Sequence, residues 1–279
     1  MSILDYFKPV ETWSAEQVRE FLQQHTADEY SLLDVRQPGE YEEGHLPGAQ
    51  LIPVKELEDQ RQRLDSEKTT ITYCAAGVRS RAGAAILSRA GFRQVISMSG
   101  GIHAWQGLIA EGEPELGATW FAPGQTVTEQ LALAWLLEDG ARQFYAELAA
   151  ERTDPQEAEL FRRLGAVEEQ HQTTLRNLLR ELAGMEEPPA KILEEKSSPT
   201  VLEGGITLDQ ARQWVQGKDL RRILELAMGL ETNAWDRYLI MHQSAEQATS
   251  REAFGRLAEE EKHHLELLSD ELDRLLATG

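Results

Sequence analysis

The sequence predicts a two-part chain, an α/β domain followed by an all-α domain built as a four-helix bundle. Three observations carry this reading. At 279 residues the chain is long for one compact core. Residues 1 to about 110 mix short apolar runs, YSLLDV and TTITYC, with glycine-rich turns, whereas the chain beyond residue 126 carries its apolar residues at helical period. Between them, GLIAEGEPELGATWFAPG is rich in Gly and Pro and has no amphipathic pattern. The expected boundaries are 1–110 for the first domain, 111–126 for a linker and 127–279 for the bundle.

In the first domain TTITY is a β-branched run that reads as a buried strand, and SRAGAAILSRAGF after Arg79 reads as a helix. Cys74 therefore stands at a strand-to-helix turn. The loop between, CAAGVR, is small and contains Gly77, so its backbone N–H groups can turn inward and form an anion cradle at the helix N-terminus. Those dipoles, together with the Arg79 charge, are expected to lower the cysteine pKa and supply thiolate near neutral pH. Asp34 and Arg36 at the end of LLDV, and His45 in GHLPGA, are expected to fix loops by hydrogen bonds; Gly100 and Gly101 suit a tight turn with Trp105 packed nearby.

LLDVRQPGEYEEGHLPGA, YCAAGVRS and SGGIHAWQG stand in the order and spacing of single-domain rhodaneses, which residues 10 to 110 resemble. The resemblance implies a central, mostly parallel sheet flanked by helices. It implies that Cys74 takes a sulfane sulfur from a donor such as thiosulfate, becomes a persulfide, and passes the sulfur to a thiol or cyanide. Arg79 would hold the anionic donor, and the amides of Ala75, Ala76, Gly77, Val78 and Arg79 would stabilise the bound sulfur. Phosphatases and arsenate reductases of related architecture use a loop one residue longer, so the four residues between Cys74 and Arg79 favour sulfur over phosphorus.

Composition narrows the partners. The formal net charge is -20, and a polyanionic surface repels phosphate backbones and anionic lipid, so neither nucleic acid nor a membrane is the expected partner. No apolar stretch approaches the ~20 residues that span a bilayer. Asp5, Lys8 and Pro9 interrupt the apolar core a signal peptide needs, and the single cysteine suits a reducing compartment, so a cytoplasmic location is expected.

Four helices are expected in the second domain, at about 127–151, 155–183, 219–246 and 250–277. Thr126 with Glu129 and Thr249 with Glu252 have capping-box spacing, Asp154 precedes Pro155 at a first helical position, and Gly184 suits a helix end. TLDQARQWVQ reads as a short helix in the long crossover. An internal repeat runs through the domain: the same spacing of 93 residues relates Glu138 to Glu231, Tyr145 to Tyr238, Glu168 to Glu261 and His171 to His264. Glu168 and His171 share a stripe with Phe161, Leu164, Leu175 and Leu178, and Glu261 and His264 share one with Phe254, Leu257, Leu268 and Leu275. Burying four carboxylates uncompensated would cost several kcal/mol each, comparable to the ~5–15 kcal/mol stability of a domain. Two divalent cations would neutralise them.

This pattern resembles the rubrerythrin branch of the ferritin-like family, whose bundles take one Glu from each of two helices and Glu-x-x-His from the other two. The resemblance implies Glu138, Glu168, His171, Glu231, Glu261 and His264 as metal ligands, Tyr145 and Tyr238 as groups behind them, and two iron ions, with manganese or zinc as alternatives. The chain departs from that branch in having no four-cysteine rubredoxin module and in having Ala234 where an additional carboxylate is usual. The function expected is a sulfurtransferase coupled to a di-iron redox domain, acting on small sulfur compounds and a thiol or protein acceptor; a homodimer is compatible with this. The rival is a persulfide carrier fused to a bundle that stores or senses metal.

Overall fold

The structure is a computed structural model and describes residues 10–111, 126–190, 192–193, 199–202, 205–245 and 247–278. It divides into two compact units, Met1–Pro114 and Glu115–Gly279. Asp5, Lys8 and Pro9, and the expected linker apart from Glu111 and Thr126, lie outside the described residues.

The first unit is a five-stranded sheet in the order β1-β5-β4-β2-β3, every pair parallel. Its strands are β1 (Glu11–Trp13), β2 (Tyr30–Asp34), β3 (Gln50–Leu51), β4 (Thr69–Tyr73) and β5 (Gln94–Met98). Successive side chains of a strand point to opposite faces. Accordingly Leu32, Ile71 and Ile96 pack with Val18 of α1 (Ala15–Gln24) in one core, while Leu33 and Val95 pack with Ala84 and Leu87 in another. Ala84 and Leu87 belong to α4 (Val78–Arg89); the short helices α2 (Pro38–Glu42) and α3 (Leu57–Gln60) precede it in the chain. Parallel strands covered on both faces account for the continuous apolar runs.

The second unit is helical: α5 (Val127–Glu151), α6 (Pro155–Leu178), α7 (Leu208–Val215), α8 (Leu220–Ser244) and α9 (Ala248–Thr278). α5 packs on α6 and α8 on α9, two hairpins joined by the crossover that contains α7. The caps explain the boundaries. Thr126 and Glu129 form a reciprocal capping box, and Asp154 accepts from the Gln156 N–H ahead of Pro155. A π-helical turn, Leu179–Ala183, extends α6 to Gly184, whose φ of +66° ends it. The expected cap at Thr249 is corrected: α9 already begins at Ala248, so Thr249 lies inside the helix and its spacing to Glu252 is incidental. Gly140 is required by a close approach, because a Cβ there would collide with the Val201 carbonyl of the crossover.

Candidate active site and metal centre

Cys74 follows β4 directly, at the carboxyl end of a central parallel strand, where α/β sheets commonly place their sites. α4 begins at Val78, two residues before the expected start, with Gly77 as its cap at φ +89°. This left-handed cap turns the Gly77 N–H onto Cys74 Sγ at 3.1 Å. Ser80 Oγ lies 3.7 Å from the same sulfur and accepts a hydrogen bond from Ser97 at 2.9 Å. Burial pushes the Cys74 thiol up, but hydrogen bonds from the Ser80 N–H and hydroxyl and from the Ala76 and Gly77 amides outweigh it, and the pKa falls below the ordinary value.

The loop is held from behind by the glycine turn. Ile102 N–H donates to the Cys74 carbonyl at 2.8 Å and His103 N–H to the Ala75 carbonyl at 3.1 Å. Gly100 and Gly101 both have positive φ, and Trp105 packs in the adjoining core. Asp34, Arg36 and His45 are structural as expected. Arg36 grips Asp34 through two guanidinium nitrogens at 2.6–3.0 Å and donates to the Gly44 carbonyl, while His45 stacks on Tyr41 at 3.5 Å.

Arg79, expected to hold the anionic donor, is paired with a carboxylate. Its guanidinium makes two bonds to Glu40 at the start of α2, at 2.6 and 2.7 Å, and the acidic causes that hold its charge are Glu40 first, then Cys74 and Asp34. The Cys74 thiol is lowered chiefly by hydrogen bonds from the loop amides and Ser80. Sequence reasoning missed Glu40 and gave Ser80 no role. Ser80 stands beside Arg79 within the quoted motif, whereas Glu40 lies 39 residues away and is joined to the loop only by the fold.

The bundle brings all six candidate ligands together. Glu138, Glu168, Glu231, Glu261 and His264 are fully buried and His171 nearly so. His171 Nδ1 lies 3.0 Å from Glu138, 3.4 Å from Glu168 and 3.6 Å from Glu261. His264 Nδ1 lies 3.2 Å from Glu231 and 3.5 Å from Glu168. Ligand atoms of Glu138, His171 and Glu261 lie within 4.8 Å of one another, as do those of Glu231, Glu261 and His264, and of Glu168, His171 and His264. Glu168 and Glu261 thus stand between two histidine ends.

The phenols cross the repeat. Tyr145 on α5 donates to Glu231 on α8 at 2.8 Å, and Tyr238 on α8 donates to Glu138 on α5 at 2.9 Å. Burial pushes Glu168 up to about 8 and Glu261 well above the carboxylate range. Burial pulls His264 and His171 down, but carboxylates outweigh it: Glu231 and Glu168 raise His264 to about 9, and Glu261 and Glu138 raise His171. Both carboxylate oxygens of Glu168 and Glu261 and both ring nitrogens of His264 are buried without a hydrogen bond among the described residues. Orphaned carboxyl oxygens converging with imidazole nitrogens are what a pair of divalent cations would satisfy, so the residues fit the metal site that the resemblance implies.

Comparison with known proteins agrees with both halves. The family model described as a Rhodanese-like domain matches residues 14–108. The Rubrerythrin model matches residues 129–211, which include Glu138, Glu168 and His171 and end ahead of Glu231, Glu261 and His264. The chain is similar to the uncharacterized protein YqhL of Bacillus subtilis, 36% identical over 78 residues, covering 28% of this chain and 62% of that protein. It is similar to the probable adenylyltransferase/sulfurtransferase MoeZ of Mycobacterium tuberculosis, 39% identical over 77 residues, covering 27% and 20%. A thiosulfate sulfurtransferase, GlpE of Coxiella burnetii, is 33% identical over 75 residues, covering 27% and 70%. The chain thus spans less than two thirds of the first two relatives. Among the described residues no helix is long and apolar enough to cross a membrane. Through residues 14–108 the chain belongs to the rhodanese family, and it joins to that domain a rubrerythrin domain with a buried cluster of glutamates and histidines.

Proposed function

We propose that this protein is a sulfurtransferase working through a Cys74 persulfide, with residues 1–110 as the sulfur-transfer domain, 111–126 as linker and 127–279 as a di-iron bundle. The observation that carries the reading is the Cys74 sulfur, lowered in pKa and facing the Gly77 N–H at 3.1 Å at the turn from β4 into α4. In the first step the thiolate attacks the sulfane sulfur of the donor. A Cys74–sulfur bond forms, and the bond to the leaving group breaks with its electron pair departing on that group. In the second step a thiolate or cyanide attacks the outer sulfur, and the electrons of the S–S bond return to Cys74. The loop amides from Ala75 to Arg79 and the Ser80 hydroxyl hold the negative charge on sulfur in both forms. No general base is needed where the nucleophile is already ionised.

Glu138, Glu168, His171, Glu231, Glu261 and His264 would hold two iron ions, which supply one-electron redox chemistry when bound. Tyr145 and Tyr238 orient Glu231 and Glu138 through their hydroxyls and tie the two helix pairs together. The bundle is proposed to act on the sulfur species that the first domain handles. Mass analysis after incubation with a sulfane donor tests the transfer step: the wild-type chain gains one sulfur on Cys74 and Cys74→Ser gains none. Transfer to cyanide by Cys74→Ser near the wild-type rate would overturn the assignment.

A further inference from the structure

Arg79 is the only charged residue of the loop Ala75–Arg79, and the fold spends that charge on Glu40. The pair is bidentate, with the two side chains 34% and 35% exposed, and Arg79 is close enough to Cys74 for the two charges to act on one another. Ala75, Ala76 and Val78 offer nothing in its place, and Val78 is 77% exposed. Arg36 acts on Glu40 and Asp34 on Arg79, but Asp34 and Arg36 form a second, buried pair of their own. Glu40 is pulled down to about 2, chiefly by its hydrogen bonds to Arg79, and stays ionised across the working pH range.

We propose that Glu40 is a specificity-determining residue of the sulfur-transfer site, one that cancels Arg79 and so selects singly charged or uncharged sulfane donors over dianions such as thiosulfate. A dianion must either displace Glu40 from Arg79 or bind beside a carboxylate. The inference rests on the sulfur-transfer reading, and the assay separates the two.

The comparison uses two donors of similar shape, thiosulfate and methanethiosulfonate, which deliver the same sulfane sulfur with sulfite or methanesulfinate as leaving group. They carry two charges and one. Glu40→Gln keeps an oxygen that can accept from Arg79 and from the Gln37 N–H, at 3.2 Å in the wild type, and removes only the charge. One unit charge at ~6 Å in a partly exposed site discriminates dianion from monoanion by about ten-fold, ~1.4 kcal/mol. The ratio of kcat/KM for thiosulfate to that for methanethiosulfonate should therefore rise about ten-fold in Glu40→Gln. An unchanged or lower ratio overturns the proposal. Independently of any variant, wild-type kcat/KM for thiosulfate should not fall as salt rises from ~0.05 to ~0.5 M, because the cation of the loop is already neutralised by Glu40. A several-fold fall would mean that Arg79 does reach the donor, and would overturn it as well. If neither donor places a sulfur on wild-type Cys74, the sulfur-transfer reading fails and takes this inference with it; if both do and the ratio stays fixed, only the role of Glu40 falls.

Discussion

Replacing Gly101 by Ala should disable sulfur transfer from a position that touches no substrate. Gly101 has φ +57°, and a Cβ built on it would lie 2.5 Å from the Ala75 carbonyl oxygen and closer still to that of Cys74. Both obstacles are backbone, so neither can swing aside. The left-handed alanine costs about 1–2 kcal/mol. Losing the 2.8 Å bond from Ile102 N–H to the Cys74 carbonyl adds about 1 kcal/mol, giving ~2–3 kcal/mol in all. The loop must move by roughly 1 Å to relieve the collision, and misplacement on that scale costs about 10²-fold in rate. Gly91 is the control: it has φ +91° but nothing within 4 Å of a new Cβ, so Gly91→Ala carries only the conformational cost of about 1–2 kcal/mol. Rates of persulfide formation, with hydrogen exchange of the β4 amides to read the first domain alone, decide the matter. Gly101→Ala with wild-type rate and protection, or Gly91→Ala as inactive as Gly101→Ala, would refute the reasoning.

Two further outcomes follow from the same geometry. Because hydrogen bonds from Ser80, Ala76 and Gly77 depress the Cys74 thiol, persulfide formation should rise with pH through an inflection below the ordinary thiol value; Ser80→Ala should move the inflection upward. A wild-type inflection above the ordinary value, or one that Ser80→Ala leaves in place, contradicts this. In the bundle, Glu168→Ala should lower metal stoichiometry whereas Glu169→Ala, on the exposed side of α6, should not. With metal at ~100 Kd for each of two sites, binding stabilises the wild type by about 5 kcal/mol, or ~10–20 °C in Tm, and most of that shift should vanish in Glu168→Ala alone. Loss of metal in Glu169→Ala with retention in Glu168→Ala would put the register wrong.

Much of this was legible in the sequence because the signals are local or periodic. A β-branched run, a small glycine loop and a following helix place Cys74 without knowledge of the rest of the sheet. The stripe that carries Glu168 with Leu164 and His171 already implies that the carboxylate points inward. Contacts between distant segments were not legible. The sequence puts Glu138 and Tyr145 on one face of α5, yet residues seven apart are separated by ~10 Å along a helix, too far to bond. Only the antiparallel packing of the repeats gives Tyr145 to Glu231 and Tyr238 to Glu138. Glu40 was hidden for the same reason. Its spacing from Gln37 marks a capping box, while its bond to Arg79 depends on β2 and β4 lying side by side. Thr249 failed in the opposite sense, since capping-box spacing also occurs inside a first helical turn.

Metal analysis of the full chain, purified without oxygen from iron-replete cells and read together with its absorption spectrum, tests most directly the claim that six buried side chains form a dimetal centre in the same chain as a sulfur-transfer domain. The account predicts two irons per chain, lost together when Glu168 and Glu261 are both replaced by Ala. A natively helical wild-type chain that holds less than one metal ion would contradict it.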